Sequence, residues 1–148
     1  MNRLPEEMPP HELRARKVIG LAMKVHRALG CGFVESIYRE ALAIELRLEQ
    51  IEFEIHPVLP VFYKGEEVGV FQAYLIIENQ LIVELKAVEA LAVPHSIQLI
   101  NYLAAAQIEH GLLLNFGAKS LQFKTKHRTS PKDDQPIDPP NLIPKKFR

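Results

Sequence analysis

The sequence predicts an α/β (α+β) domain, one sheet with helices packed on it. Helical periodicity fills residues 11–50, strand periodicity takes over after Ile51, and one later helical stretch, HSIQLINYLAAAQ, separates two groups of strands. The resulting order is α-α-β-β-β-α-β-β: a three-strand meander, a crossover helix and further strand.

Residues 1–10 carry Pro5, Pro9 and Pro10 and read as a flexible lead-in to a domain spanning 11–128. In the first helix Val18, Ala22, Val25 and Leu29 recur at helical spacing, with Ile19 and Leu21 widening the stripe. Gly30-Cys31-Gly32 ends it, because glycine suits helix caps and turns. A second helix covers about 34–50. Its apolar stripe suits either a core face or the seat of a homodimer or protein partner.

FEIHPVLPVFYKG, with two prolines, reads as an edge or bent strand. EEVGVFQAYLIIE is the next strand and QLIVELKA the third. Pro94 marks a helix start, and Ile97, Ile100, Leu103 and Ala104 are the expected core contacts of that helix. GLLLNFG has the unbroken apolar run of a strand covered on both faces, and SLQFKTK alternates as a final strand. From Thr129 to Arg148, five prolines mark a tail that cannot bury enough apolar surface to fold alone; it is a linker or a partner-binding arm.

Composition narrows the function classes. Of 148 residues, 47% are hydrophobic and 24% charged, ordinary for a globular domain with a sizeable core. Eighteen basic and eighteen acidic residues cancel, so net charge signals neither nucleic acid nor membrane. The single cysteine, Cys31, excludes an intramolecular disulfide and a Cys-rich zinc site. The expectation is a cytoplasmic protein, with no membrane association, signal peptide or membrane span.

Chemistry concentrates in FQAYLIIENQLIVELKA, residues 71–87. Glu84 and Lys86 share one face of the third strand, with Leu85 on the other. A three-residue loop, Glu78-Asn79-Gln80, pairs Ile77 with Leu81 and sets Tyr74 opposite Glu84 and Gln72 opposite Lys86. A two-residue loop sends Tyr74 to the other face. The longer loop gathers the polar residues on one face and is preferred. Glu84 and Lys86 are then either an ion pair on a solvated face or a working pair in a central strand, where ionised groups are costly unless paired or used.

GFVESIY (32–38), REALAIELRLEQI, PVFYKGEEVG, LIVELKAVEAL, HSIQLINYL and GLLLNFG together resemble the small bacterial GxxExxY proteins of the PD-(D/E)XK nuclease superfamily, over about residues 11–126. The resemblance implies an αβββαβ core, here with an additional N-terminal helix and a final strand. It implies that Glu84 and Glu35 bind metal, that Lys86 orients the attacking water and stabilises charge at the phosphate, and that Gln98 stands close to the site. Tyr102, one turn beyond Gln98, would line the cleft with Gln72. The cofactor would be Mg²⁺ (or Mn²⁺), which stabilises charge and activates water in phosphodiester hydrolysis. The family pattern has an aspartate where this chain has Tyr74 and an arginine where it has Gln72. A neutral phenol is a poor Mg²⁺ ligand.

The favoured reading is therefore a degenerate nuclease-like domain, catalytically weak or inactive and kept for binding nucleic acid or protein. The alternative is an active Mg²⁺-dependent phosphodiesterase, a DNA or RNA nuclease using Glu35, Glu84, Lys86 and Gln98. Lys119, Lys124, Lys126 and Arg128 around the last strand either meet phosphates or guard an exposed strand edge. His26 and His95 read as packing and helix-start residues, and Cys31 as a turn residue.

Overall fold

A computed structural model describes residues 5–55, 57–72 and 75–128. Tyr74 and the proline-rich tail from Thr129 lie outside the described residues.

After a short 3₁₀ turn at Pro5–Glu7, the first periodic stretch forms α1 (Pro10–Leu29), burying Ala15, Val18, Ile19, Ala22 and Val25 along one side. It stops at Gly30, whose φ of 69° lies in the left-handed region open to glycine and whose N–H donates to His26 O at 2.8 Å. The second stretch forms α2 (Glu35–Leu48), burying Tyr38, Leu42, Ala43 and Leu46. Those four use up the core face of α2, while Ile37, Ile44 and Leu48 stay exposed.

Among the described residues the main sheet has the order β1-β4-β5-β6-β7: β1 (Phe53–Ile55), β4 (Leu75–Ile77), β5 (Leu81–Lys86), β6 (His110–Asn115) and β7 (Gln122–His127). β5 and β6 run parallel and the other neighbours antiparallel. The crossover between the parallel pair is α3 (Val93–Ala106). A separate two-stranded sheet joins β2 (Val58–Tyr63) to β3 (Glu66–Gln72).

The expected three-strand meander is thus corrected. Each of its first two segments is split into two strands belonging to different sheets: 53–63 into β1 and β2, and 66–77 into β3 and β4. Pro57 and Pro60, which cannot donate to a ladder, lie at or near the first break. The long hairpin therefore keeps its inner half in the main sheet and sends its outer half away as an arm. Gln72 consequently stands opposite Val58 in the arm, not opposite Lys86.

The β4–β5 turn follows the three-residue expectation. Ile77 pairs with Leu81, Gln80 N–H donates to Ile77 O at 2.9 Å, and Glu78 and Asn79 take positive φ.

Two cores sandwich the sheet. On one face α1 and α2 pack on Leu75, Ile77, Leu81, Val83, Leu85, Leu112 and Leu114. On the other, α3 and the base of the arm pack on Ile76, Ile82 and Leu113. Each fully buried leucine here contributes about 1.5–3 kcal/mol. The buried stripe of α3 is Ser96, Leu99, Leu103 and Ala106. Ile97, expected in the core, is 53% exposed. Gly111 explains the rotation, since a Cβ there would meet Leu99 Cδ1 at 3.0 Å and Leu103 Cδ1 at 3.1 Å. This phase turns Gln98 and Tyr102 toward the end of β5.

Candidate active site

Alternation along β5 puts Val83 and Leu85 under α1 and α2, and Ile82 and Glu84 under α3. Glu84 is buried at 3% exposure and Lys86, at the strand end, is half-buried. The Lys86 ammonium donates to Gln98 Oε1 across 3.2 Å. Tyr102 follows one turn later on α3. Burial pushes its phenol above the usual tyrosine value, the Glu84 carboxylate pushes it further, and a hydrogen bond with Gln98 draws it part of the way back. The phenol is therefore protonated at neutral pH. Phe71, the last buried residue of the arm, stacks on Tyr102 at 4.5 Å between ring centroids.

The start of α3 is held by a polar clasp that the apolar reading of GLLLNFG did not reveal. Asn115 is fully buried beside Lys86 in the β5–β6 register. Its Oδ1 accepts from Val88 N–H and Gly117 N–H, each at 3.0 Å, and its Nδ2 donates to Val88 O and Gln122 Oε1, each at 2.9 Å. Gln122 Oε1 also accepts from Leu91 N–H at 3.2 Å. The segment from Ala87 to Leu91 is thereby fastened to β6 and β7, which fixes where α3 begins. His95 adds a cap, its Nδ1 accepting from Ala92 N–H at 3.0 Å. The signal in the sequence is an asparagine inside a strand buried on both faces, whose amide must find partners.

The remaining candidates lie elsewhere. Glu35 opens α2, half-buried, and α2 packs on the sheet face opposite to that of Glu84. Gln72 is exposed at the end of the arm. Lys124 and Lys126 pair with Leu113 and Gly111 on the α3 face. Lys119 borders a cavity with His26 and Arg27, and Arg128 is bonded to Glu109 at 3.4 Å, so the four basic residues do not make one patch. His26 is a packing residue whose Nε2 meets Ala118 O at 2.9 Å, and Cys31 is an exposed free thiol. A cavity of about 610 Å³ opens at the β1 edge by Arg47 and Phe53, away from these groups.

The family model described as the PD-(D/E)XK nuclease superfamily matches residues 12–128. The chain belongs to that superfamily. Its mixed sheet with flanking helices is consistent with the superfamily fold. No curated protein and no solved structure matches the chain. No helix among the described residues is long and apolar enough to cross a membrane.

Nucleases of this superfamily generally use divalent metals. The described residues do not fit such a group well. Glu84 is one hard oxygen donor at the cluster, and no three His, Cys, Asp or Glu side chains among the described residues are grouped to hold an ion. What the described cluster offers is a fixed ammonium, a clamped amide and a protonated phenol. That combination suits the oxygens of a phosphodiester.

Proposed function

We propose that this is a GxxExxY-type domain that binds nucleic acid at the Glu84–Lys86–Gln98–Tyr102 cluster, with hydrolysis weak or absent. The contact between Lys86 and Gln98 carries the reading. It holds a cation beside a single buried carboxylate, a ground-state grip on phosphate rather than a full hydrolytic centre. Tyr74 and Gln72, standing where the GxxExxY pattern that this sequence resembles has an aspartate and an arginine, support the loss of hydrolysis.

The buried Glu84 beside Lys86 also admits a second reading, an active Mg²⁺- or Mn²⁺-dependent phosphodiesterase, which requires Glu35 to join Glu84 from the start of α2. Calorimetric titration of Mg²⁺ and Mn²⁺ into the wild type and Tyr74→Asp, together with cleavage and binding of labelled DNA and RNA, separates the two. The first reading expects no metal site in the wild type, a gained site in Tyr74→Asp, and nucleic-acid binding that Lys86→Ala weakens. Robust metal-dependent cleavage by the wild type, lost in both Lys86→Ala and Glu84→Ala, would establish the second.

A further inference from the structure

At the other end of the sheet, three imidazoles come together from distant parts of the chain: His11 from the first turn of α1, His110 from the start of β6 and His127 from the end of β7. His11 stacks on His110 at 4.0 Å with the planes 3° apart, and the Nδ1 atoms of His110 and His127 lie 3.1 Å apart. They line a cavity of about 290 Å³ together with Arg16, Lys126 and Phe123. This is near the lower limit of small-ligand pockets, which run from about 300 Å³ upward. Leu81 and His110 begin the strands whose far ends carry Lys86 and Asn115, so the cavity is roughly 17 Å along the strands from the candidate active site.

The electrostatics of this cavity favour an anion. Burial lowers the His110 pKa most, the charges of His11 and His127 lower it further, Glu109 pulls the other way, and Arg14 adds the smallest lowering. Burial disfavours charge of either sign, but the neighbouring positive groups that repel a proton favour a negative ion. Around the cavity α1 presents His11, Glu12, Arg14 and Arg16, the β6 end presents Glu109 and His110, and the β7 end presents Lys126, His127 and Arg128. Several of these charges are already engaged: Glu12 lies 3.8 Å from Arg16, Arg14 is bonded to Glu78 at 2.9 Å, and Arg128 to Glu109 at 3.4 Å. Arg16, held by Glu12 only across 3.8 Å, and the three imidazoles are the groups left to answer a ligand; Lys126 borders the cavity from a strand position that faces α3. One wall is apolar, formed by Ile19, Leu81 and a Phe123 ring that is 44% exposed and open to stacking.

We propose that this cavity binds a nucleoside 5′-monophosphate group, with the phosphate on the imidazoles and Arg16, and the base against Phe123. The group could be a free nucleotide or the phosphorylated end of a strand. A phosphate monoester brings about −1.5 to −2 charges at neutral pH, so binding draws protons onto the imidazoles. The test is calorimetry with adenosine 5′-monophosphate, ribose 5-phosphate, and a short oligonucleotide with and without a 5′-phosphate, at pH 8.0 and 6.5. The expected result is saturable adenosine monophosphate binding, tighter at pH 6.5 by up to about thirtyfold for one proton taken up across 1.5 pH units. That binding should weaken at least tenfold in His127→Ala, Arg16→Gln and Phe123→Ala, and persist in Lys86→Ala. A preference for the free nucleotide or for the phosphorylated oligonucleotide identifies the source, and either supports the site. Thermal melts identify any variant that fails to fold, and the exposed Phe123→Ala and Arg16→Gln then decide. Absence of saturable binding at both pH values overturns the proposal, as does equal binding of ribose 5-phosphate. Loss in Lys86→Ala with retention in Phe123→Ala also overturns it and transfers the binding to the candidate active site.

Discussion

Replacing Asn115 by alanine tests whether the polar clasp sets the stability of the domain. The side chain is fully buried and makes four hydrogen bonds. At about 1 kcal/mol net per bond the loss is about 4 kcal/mol. A water entering the vacated space can re-satisfy part of it, so the expected destabilisation is about 2–4 kcal/mol. At about 4 °C per kcal/mol for a domain of this size, the melting temperature should fall by about 8–16 °C. Urea unfolding followed by circular dichroism, extrapolated linearly to water, measures it directly. Asn115→Asp should lose at least as much at pH 7, because it turns an anionic oxygen toward Val88 O and Gln122 Oε1. A loss below about 0.5 kcal/mol in Asn115→Ala, the size of an ordinary surface substitution, would refute the reasoning.

Three further outcomes are expected. Gly117→Ala should be destabilised by about 3 kcal/mol or more, because a Cβ there would overlap the Val88 amide and carbonyl and come within 2.6 Å of Ala87 C; a melt matching wild type would contradict this. The Tyr102 phenol should titrate above ~10, followed by ultraviolet absorbance as the wild type minus Tyr102→Phe, and Glu84→Gln should lower its midpoint. Because its pKa is raised in the folded state, the native protein holds that proton longer than the unfolded chain, so stability falls as pH rises past ~10. For His110 the pKa is lowered, so the unfolded chain binds the proton first: its contribution is intact above pH ~6.5 and is lost as pH falls through the folded-state value. His110→Gln should flatten that acid slope in denaturant titrations run from pH 7.5 to 5.

The β4–β5 register could be read from the sequence because the three-residue loop Glu78-Asn79-Gln80 keeps the polar residues of the hairpin on one face, whereas a two-residue loop would divide them. The division of each long strand could not. Strand-forming residues run on from Glu66 to Ile77 without a turn signal, and nothing in that run records that its two halves join different sheets. The phase of α3 was misjudged at Ile97 because isoleucine and leucine are equally apolar, and the deciding contact is with Gly111, which lies outside the helix. Glu84 and Lys86 stand out in the sequence because strand alternation places them on one face, whereas Gln98, and Tyr102 one turn beyond it, came from the family resemblance and not from spacing. The three histidines were not, since His11 meets His110 and His127 only after the chain has built the whole sheet between them.

The β2–β3 arm gives the domain a mechanical asymmetry. Under α1 and α2 the sheet is continuously packed. The arm is a two-stranded rod roughly 20 Å long, exposed along Glu66–Val70 and gripped at its base by Leu59 and Phe71. A load on its tip at Lys64–Gly65 passes through Phe71 to Tyr102, and from there to the amide that holds Lys86. The exposed arm and the candidate active site are thus joined by a short chain of side-chain contacts on the α3 side of the sheet, so a partner that seats on the arm would lie in direct structural continuity with Lys86.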